Sequence, residues 1–580
     1  MKSSKTSKLS WAAWGSVALS LLLAPSLAYG QSHRISRELE NLSANQKVNV
    51  IVQYRVPPTQ SHFDRVHSRG GVLRRDLRGM RAGAYRLPGR ALAELANDPD
   101  VAFISPDHPI HAASYSNNPD FYEQAVFTQS SWNTYDAKGI GIAVIDSGIT
   151  NNGDFGTRIV YSQSFVSGQT ATTDPYGHGT HVAGILAGNG TNSTGSKFSK
   201  TFMGVANNAN LINLRVLDQN GSGTDSAVIA AIQKAIQLKS TYNIRVINLS
   251  LGRGVFGSYT TDPLCQAVEQ AWNAGIVVVV SAGNDGRNDA AGTDGYGTIN
   301  APGNDPYVIT VGAMKPENTG DRANDQIASY SSKGPTLFDH VVKPDIVAPG
   351  NQVISTLAAT NATLYTTLNA VPINYYNTTG TTAASPYYFK LNGTSMAAPV
   401  VSGAAALMLQ KNPSLTPDQV KARLMKSAYK YFYPTYTTAT DPITGQTYNS
   451  QADIFTVGAG YLDIQNAMQS TDLAPATAGS ANSPKVALDA SGNVYIVTGN
   501  SVVWGTSVVW GTSVVWGTSV VWGTNAAGQS VVWGSSVVWG TNTLQGYDVL
   551  WGSSVVWGTS VVWGTTNQTQ ATAIQIVGEQ

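Results

Sequence analysis

Between about residue 120 and residue 470 the chain alternates short β-branched apolar runs with longer stretches whose apolar positions recur at helical spacing. Runs at 140–145, 210–216, 246–251, 276–281 and 308–311 predict strands. The stretches 179–187, 225–238 and 263–274, with the one that follows Ser395, predict helices between and after them. The Ile-Val-Val-Val-Val run at 276–280 carries no polar alternation, so both of its faces are expected to be buried. Strands of that kind belong to a parallel sheet covered by helices, and the pattern predicts one large α/β domain over 113–475. Residues 357–390, rich in Thr, Asn and Tyr, read as an inserted surface loop or hairpin.

The flanks follow other patterns. Residues 47–54 alternate as a strand should, helices are expected over 61–68 and 89–96, and a short strand over 101–105. This β-α-β rhythm predicts a small α+β domain at 31–112. Ahead of it, Lys2, Lys5 and Lys8 precede an apolar run at 11–23 and then small residues, the layout of a signal peptide over 1–30. That run is short for a membrane span. Beyond 475 a tail (476–580) carries a Ser-Val-Val-Trp-Gly-Thr motif, with tryptophans at 504, 510, 516, 522, 533, 539, 551, 557 and 563. A six-residue period keeps each side chain on one face of an extended chain, and the step from Trp522 to Trp533 asks for a turn or bulge. The tail is therefore expected to be β-rich, with disorder until assembly as the rival reading. Its only charge between 501 and 566 is Asp548, a composition suited to self-association or to binding a cell surface.

Composition narrows the function. The net charge is +1 and 12% of residues are charged, which argues against a nucleic-acid surface. A single cysteine excludes an internal disulfide framework. Cys265 stands beside Leu264 and Val268 in a predicted helix, so a buried apolar role is expected of it.

Four stretches carry chemistry. In Asn392-Gly393-Thr394-Ser395-Met396-Ala397-Ala398-Pro399 a serine stands at the start of an apolar helix, with Pro399 expected within its first turn. Free N–H groups and the helix dipole there favour a developing negative charge, although serines also sit at such places simply as caps. Asp146 closes the apolar strand in Val144-Ile145-Asp146-Ser147-Gly148, where open α/β sheets place catalytic groups. His178-Gly179-Thr180-His181 puts two histidines at a helix start, a spacing weak for zinc without its glutamate. Ser281-Ala282-Gly283-Asn284 brings an amide to the end of the most buried strand. A serine hydroxyl needs an imidazole to take its proton, the imidazole needs a carboxylate, and the oxyanion needs donors.

With Asp146, His178, Asn284 and Ser395 in this order, the chain resembles the subtilisin family of serine endopeptidases, roughly from Asn133 to Met468. The resemblance implies a three-layer domain with Asp146 as orienter, His178 as base, Ser395 as nucleophile and Asn284 in the oxyanion hole. It assigns His181 a place behind the site and 343–350 a scaffolding role. It also implies substrate binding at Gly221, Ser222 and Gly223, as an edge that pairs with an extended peptide, and at Ser250, Leu251 and Gly252, lining the first specificity pocket. Residues 31–112 become an inhibitory pro-domain, with 106–111 lying in the cleft and self-cleavage between His111 and Asp120. The implied product is a secreted enzyme acting on proteins or peptides, with no cofactor in the chemistry. A structural calcium stays open, because the loop 189–197 holds no carboxylate and Lys315 stands where some relatives offer an acidic ligand. The alternative is a non-catalytic surface or assembly protein built on the same scaffold.

Overall fold

The computed structural model describes residues 42–78, 81–106, 134–288, 293–317, 319–430, 436–441, 445–488 and 494–497. It also describes 34–35, 39, 118–119, 125–126, 128, 432, 520–524, 530–533, 575–577 and 579. The signal-peptide region, 107–117 and most of the repeats lie outside these residues. Among the described residues no helix is long and apolar enough to cross a membrane. The chain divides into two compact units, Met1–Ser114 and Tyr115–Gln580.

The first unit is an antiparallel sheet in the order Val72–Leu77, Ala82–Pro88, Lys47–Tyr54, Val101–Pro106. Helices Gln60–Ser68 and Arg90–Ala96 complete it, and Val50, Val52, Phe63, Tyr85, Leu92 and Ile104 form its core. The rhythm is therefore β-α-β-β-α-β, with two strands more than the pattern predicts. Val72–Leu77 escapes notice because it is an edge strand crowded with Arg74, Arg75 and Asp76, and charges on an edge blur the alternation.

In the second unit eight strands form one sheet. Its main path runs Gln326–Ile327, Ile309–Lys315, Val277–Ser281, Ile244–Leu249, Gly141–Asp146, Asn210–Arg215, Ile159–Ser164, and Ile346–Pro349 adds to Ile309–Lys315. All pairings are parallel except that of Gln326–Ile327. Gly141–Asp146 comes first in this sheet yet lies at its centre, with later strands on both sides. The chain thus reverses direction of growth there, the place where such sheets leave a crevice beyond the strand ends. Helices Asp225–Tyr242 and Pro263–Asn273 start at side-chain caps: Thr224 accepts from Ala227 N–H, and Asp262 accepts from Leu264 N–H and Cys265 N–H. Helix Thr394–Lys411 is buried on every side from Thr394 to Leu409, so its position is set by the core around it.

Val353–Thr356, Ala384–Leu391 and Ala370–Pro372 form a three-stranded antiparallel sheet in that order. The stretch 357–390 is thus a hairpin, the second of the two expected forms, and much of it is exposed, while Tyr388 and Phe389 within it are fully buried and anchor it to the core. In the tail, Val520–Thr524 and Ser530–Trp533 pair as antiparallel strands, with an irregularity between Trp522 and Thr524.

Candidate active site

Asp146 ends its strand with a carboxylate that is 1% exposed. Its Oδ1 accepts both Ser147 N–H at 2.7 Å and the His178 ring at Nδ1, also 2.7 Å. That bond places the Nδ1 proton between the two residues and leaves Nε2 as the basic atom. Burial pushes the His178 imidazole down, but the charge and hydrogen bond of Asp146 outweigh it and hold the proton affinity above the ordinary histidine value.

What holds His178 at the first position of helix His178–Ala187 is a residue that the motifs do not reveal. The preceding residue, Gly177, has no side chain with which to cap the helix. Asp174 does so from three residues further back, with Oδ1 accepting Gly177 N–H at 2.8 Å and Oδ2 accepting Thr180 N–H at 2.7 Å. Ser147 Oγ donates to the same carboxylate at 2.7 Å and accepts Gly179 N–H at 2.9 Å. The strand end that carries Asp146 and the helix start that carries His178 are thus tied together by one buried carboxylate. An Asp four residues before His178 was the available signal.

His181 faces away from this cluster. It donates through Nε2 to Val353 C=O at 3.1 Å and meets the edge of Phe389, with ring centres 4.9 Å apart. Burial, with His178 nearby, pushes its pKa down to about 3, so it is a neutral packing residue, as its expected place behind the site requires.

Helix Thr394–Lys411 begins ahead of Met396, and Pro399 is consequently its sixth residue rather than part of its first turn. This correction has a physical consequence. A proline at 399 lacks the N–H that would pair with Ser395 C=O. The freed carbonyl instead accepts Ser250 Oγ–H at 2.8 Å, and Ser395 Oγ–H donates to Ser250 C=O at 3.1 Å. Asn248 Nδ2 donates to Ser250 Oγ, and Ser402 Oγ donates to Asn248 Oδ1. The Ser250 side chain, expected to meet substrate, is therefore engaged in holding the serine helix. His178 Nε2 has no hydrogen-bond partner among the described residues.

Asn284 lies across the helix start. Its Oδ1 accepts Thr394 N–H at 2.9 Å and Thr394 Oγ1–H at 3.1 Å, so the amide nitrogen is the end left to donate. Gly393 has φ +139°, and a Cβ there would come within 3.1 Å of Asn284 Nδ2. Only glycine leaves the amide room.

The remaining expected residues lie on loops. Gly221, Ser222 and Gly223 belong to a turn closed by Asp218, whose Oδ1 accepts Asn220 N–H and Ser222 N–H. Gly221 has φ +75°, with the Tyr176 ring 2.5 Å from where a Cβ would stand, which ties the turn to the residue two before His178. Leu251 is half-buried and Gly252 exposed. In the loop 189–197, Asn192 N–H and Tyr388 OH donate to the two oxygens of Asp154, so that carboxylate is satisfied by protein donors. Lys315 is buried beside Glu317 at 3.1 Å, an ammonium where a cation ligand would be needed. Among the described residues no three His, Cys, Asp or Glu side chains cluster to hold a metal. Cys265 is buried, its Sγ 3.3 Å from Asn304 Oδ1.

A carboxylate-imidazole pair at the end of a central parallel strand, beside a serine at the start of a buried helix with an amide over it, can carry acyl transfer. Residues 137–460 match the subtilase family. The chain is 38% identical over 304 residues to serine protease AprX of Bacillus subtilis (strain 168), covering 51% of this chain and 63% of that one. With subtilisin E of the same organism it shares 35% over 370 residues, 63% of this chain and 80% of the relative. With an extracellular serine proteinase of Thermus sp. (strain Rt41A) it shares 34% over 353 residues, 60% and 70% of the two chains. The chain is a serine-type endopeptidase, a hydrolase of peptide bonds in proteins. The chain belongs to the subtilase family.

Proposed function

We propose that this protein is an exported serine endopeptidase made as a self-processing zymogen. Ser395 attacks the scissile carbonyl as His178 Nε2 takes its proton, and Asp146 stabilises the imidazolium so formed. The tetrahedral intermediate collapses with cleavage of the C–N bond as the His178 imidazolium gives its proton to the leaving amine. Water, deprotonated by the now neutral His178, then hydrolyses the acyl-enzyme and frees Ser395. The observation that carries this reading is the 2.7 Å bond from His178 Nδ1 to Asp146, which orients a buried imidazole whose other nitrogen lacks a partner among the described residues. Asn284 Nδ2 and Ser395 N–H are assigned to the oxyanion. Gly221, Ser222 and Gly223 pair with an extended peptide, while Ser250, Leu251 and Gly252 border the pocket for the residue before the cut. The first unit acts as an intramolecular inhibitor until cleavage between His111 and Asp120. Secretion is supported by the charged-then-apolar start of the chain and by an extracellular relative. The tail is assigned to self-association or to binding a cell surface.

The test is covalent. A fluorophosphonate incubated with the native enzyme is expected to label one residue, Ser395, as located by peptide mass mapping. Labelling elsewhere, or proteolysis that survives full labelling, would refute the assignment. A second expected result concerns the oxyanion. Asn284→Ala should lower kcat by about 10²–10³-fold with KM little changed, the scale being the one known for subtilisin itself. A loss confined to KM would place Asn284 in ground-state binding instead.

A further inference from the structure

The segment after the repeats returns to the second unit and docks beside the catalytic residues through a built site. Glu579 is 1% exposed, although it is a carboxylate near the far end of the sequence from the residues it meets. Arg287 Nη2 donates to its Oε1 at 2.5 Å, and Ser329 N–H lies 3.1 Å from both of its oxygens. Ser329 Oγ–H donates to the same carboxylate. Arg287 is itself fixed, with Nε donating to Ser329 Oγ, Nη1 paired with Asp441 and its plane over the Tyr448 ring at 4.7 Å. Burial lowers the guanidinium's proton affinity, and Glu579 with Asp441 more than restores it. A carboxylate this buried needs such a partner, because an unpaired charge taken out of water is strongly unfavourable.

The main chain of the segment is read as well. Asn351 makes a two-way pair with Glu579, donating to its C=O at 2.8 Å and accepting its N–H at 3.0 Å. Gln352 donates to Val577 C=O at 2.7 Å. Gln575 C=O accepts Asn392 N–H at 2.9 Å and Asn392 Nδ2–H at 3.0 Å, while its side chain accepts Tyr176 OH at 3.2 Å. Asn392 stands three residues before Ser395, and Tyr176 two before His178. A bound peptide backbone thus lies against the residues that lead into the nucleophile and the base.

We infer that Arg287, Ser329, Asn351, Gln352 and Asn392 form a receptor for an acidic peptide segment. It is filled in cis by residues 575–577 and 579, which there restrict the approach of extended substrates to Ser395. Glu579 supplies the specificity, since the main-chain bonds are indifferent to sequence and only the carboxylate meets Arg287. The restriction of substrate rests on Ser395 as nucleophile, whereas the binding does not.

The experiment keeps the two apart. Full-length enzyme carrying Glu579→Gln is purified and part of it is inactivated with a small fluorophosphonate, which itself reports whether Ser395 reacts. A fluorescent peptide of residues 573–580 is then titrated into the inactivated protein and followed by anisotropy. Saturable binding is expected, weakened about 10-fold or more when the peptide's glutamate is replaced by glutamine, the usual cost of losing a charge-assisted pair. Wild-type enzyme, with its own segment in place, should bind the peptide at least as much more weakly, since a tethered ligand competes at high effective concentration. Arg287→Gln introduced beside Glu579→Gln should weaken the peptide as the glutamine peptide does. In the active enzyme Glu579→Gln should lower KM for an extended peptide substrate several-fold, with kcat unchanged. No binding, or equal binding of the glutamate and glutamine peptides, overturns the receptor. Selective binding with an unaltered KM overturns the restriction of substrate.

Discussion

Ser395→Ala is expected to reduce kcat by about 10⁶-fold, the scale that triad removal has in subtilisin itself, and to leave the precursor uncleaved. The neighbouring hydroxyl at the start of helix Thr394–Lys411, that of Thr394, is engaged with Gly283 C=O and Asn284 Oδ1, so it does not replace the lost nucleophile. The substitution removes one hydrogen bond, from Ser395 Oγ to Ser250 C=O at 3.1 Å, from a helix that is otherwise buried in the core. The Ser395 carbonyl keeps its bond from Ser250 Oγ, so the fold should survive with a melting temperature within a few degrees of the parent. Two measurements check this. Mass spectrometry of the purified variant should find one uncut species containing both units, and steady-state assays should find hydrolysis near the background rate. A variant that sheds residues 31–112 at the normal rate, free of contaminating protease, would show that removal of the pro-segment does not need Ser395. A variant that still hydrolyses peptides at a substantial rate would remove Ser395 from the mechanism.

The residues proposed for catalysis were legible because each is carried by a short local pattern. Asp146 closes an apolar strand, His178 opens a helix and Ser395 opens another, and strand and helix ends are read from a few neighbouring residues. Their supports were not legible, for a related reason. Asp174 caps a helix whose own cap position is a glycine, so the expected serine or aspartate at that spot is missing. Ser250 became a positioning residue only once Pro399 was seen in the second turn, where it releases the Ser395 carbonyl. Tyr388 and Phe389 lie in a polar stretch that reads as surface until its strand is paired on both sides. The pair of Arg287 and Glu579, 292 residues apart, has no periodicity at all, and only the folded chain brings it together. Local pattern thus located the chemistry, while the bonds that hold it in place came from tertiary packing.

Asp146→Ala is expected to lower kcat by about 10⁴-fold, again on the subtilisin scale, less than loss of the serine because the nucleophile and oxyanion donors remain. Asp146→Asn separates the two services that the carboxylate performs. One is orientation, and Oδ1 performs it while also accepting Ser147 N–H at 2.7 Å. An N–H can only donate, so it should hold the amide oxygen of the introduced asparagine in the Oδ1 position, where that oxygen still accepts from His178 Nδ1. The amide nitrogen then takes the Oδ2 position, which has no partner among the described residues. The other service is charge, and the amide cannot supply it. Asp146→Asn should therefore be faster than Asp146→Ala, with a pH profile of its own. The parent needs a neutral His178, whose proton affinity Asp146 raises against the opposing effect of burial, so kcat/KM should rise with pH through a value above about 6.5. Without the Asp146 charge, burial is opposed chiefly by the charge of Asp174, the smallest of the upward effects, so the acid limb should move down while the plateau falls. An Asn variant as slow as the Ala variant, with its acid limb unmoved, would mean that the amide has rotated and fixed the wrong tautomer. In that case the Ser147 N–H does not anchor the orienting residue.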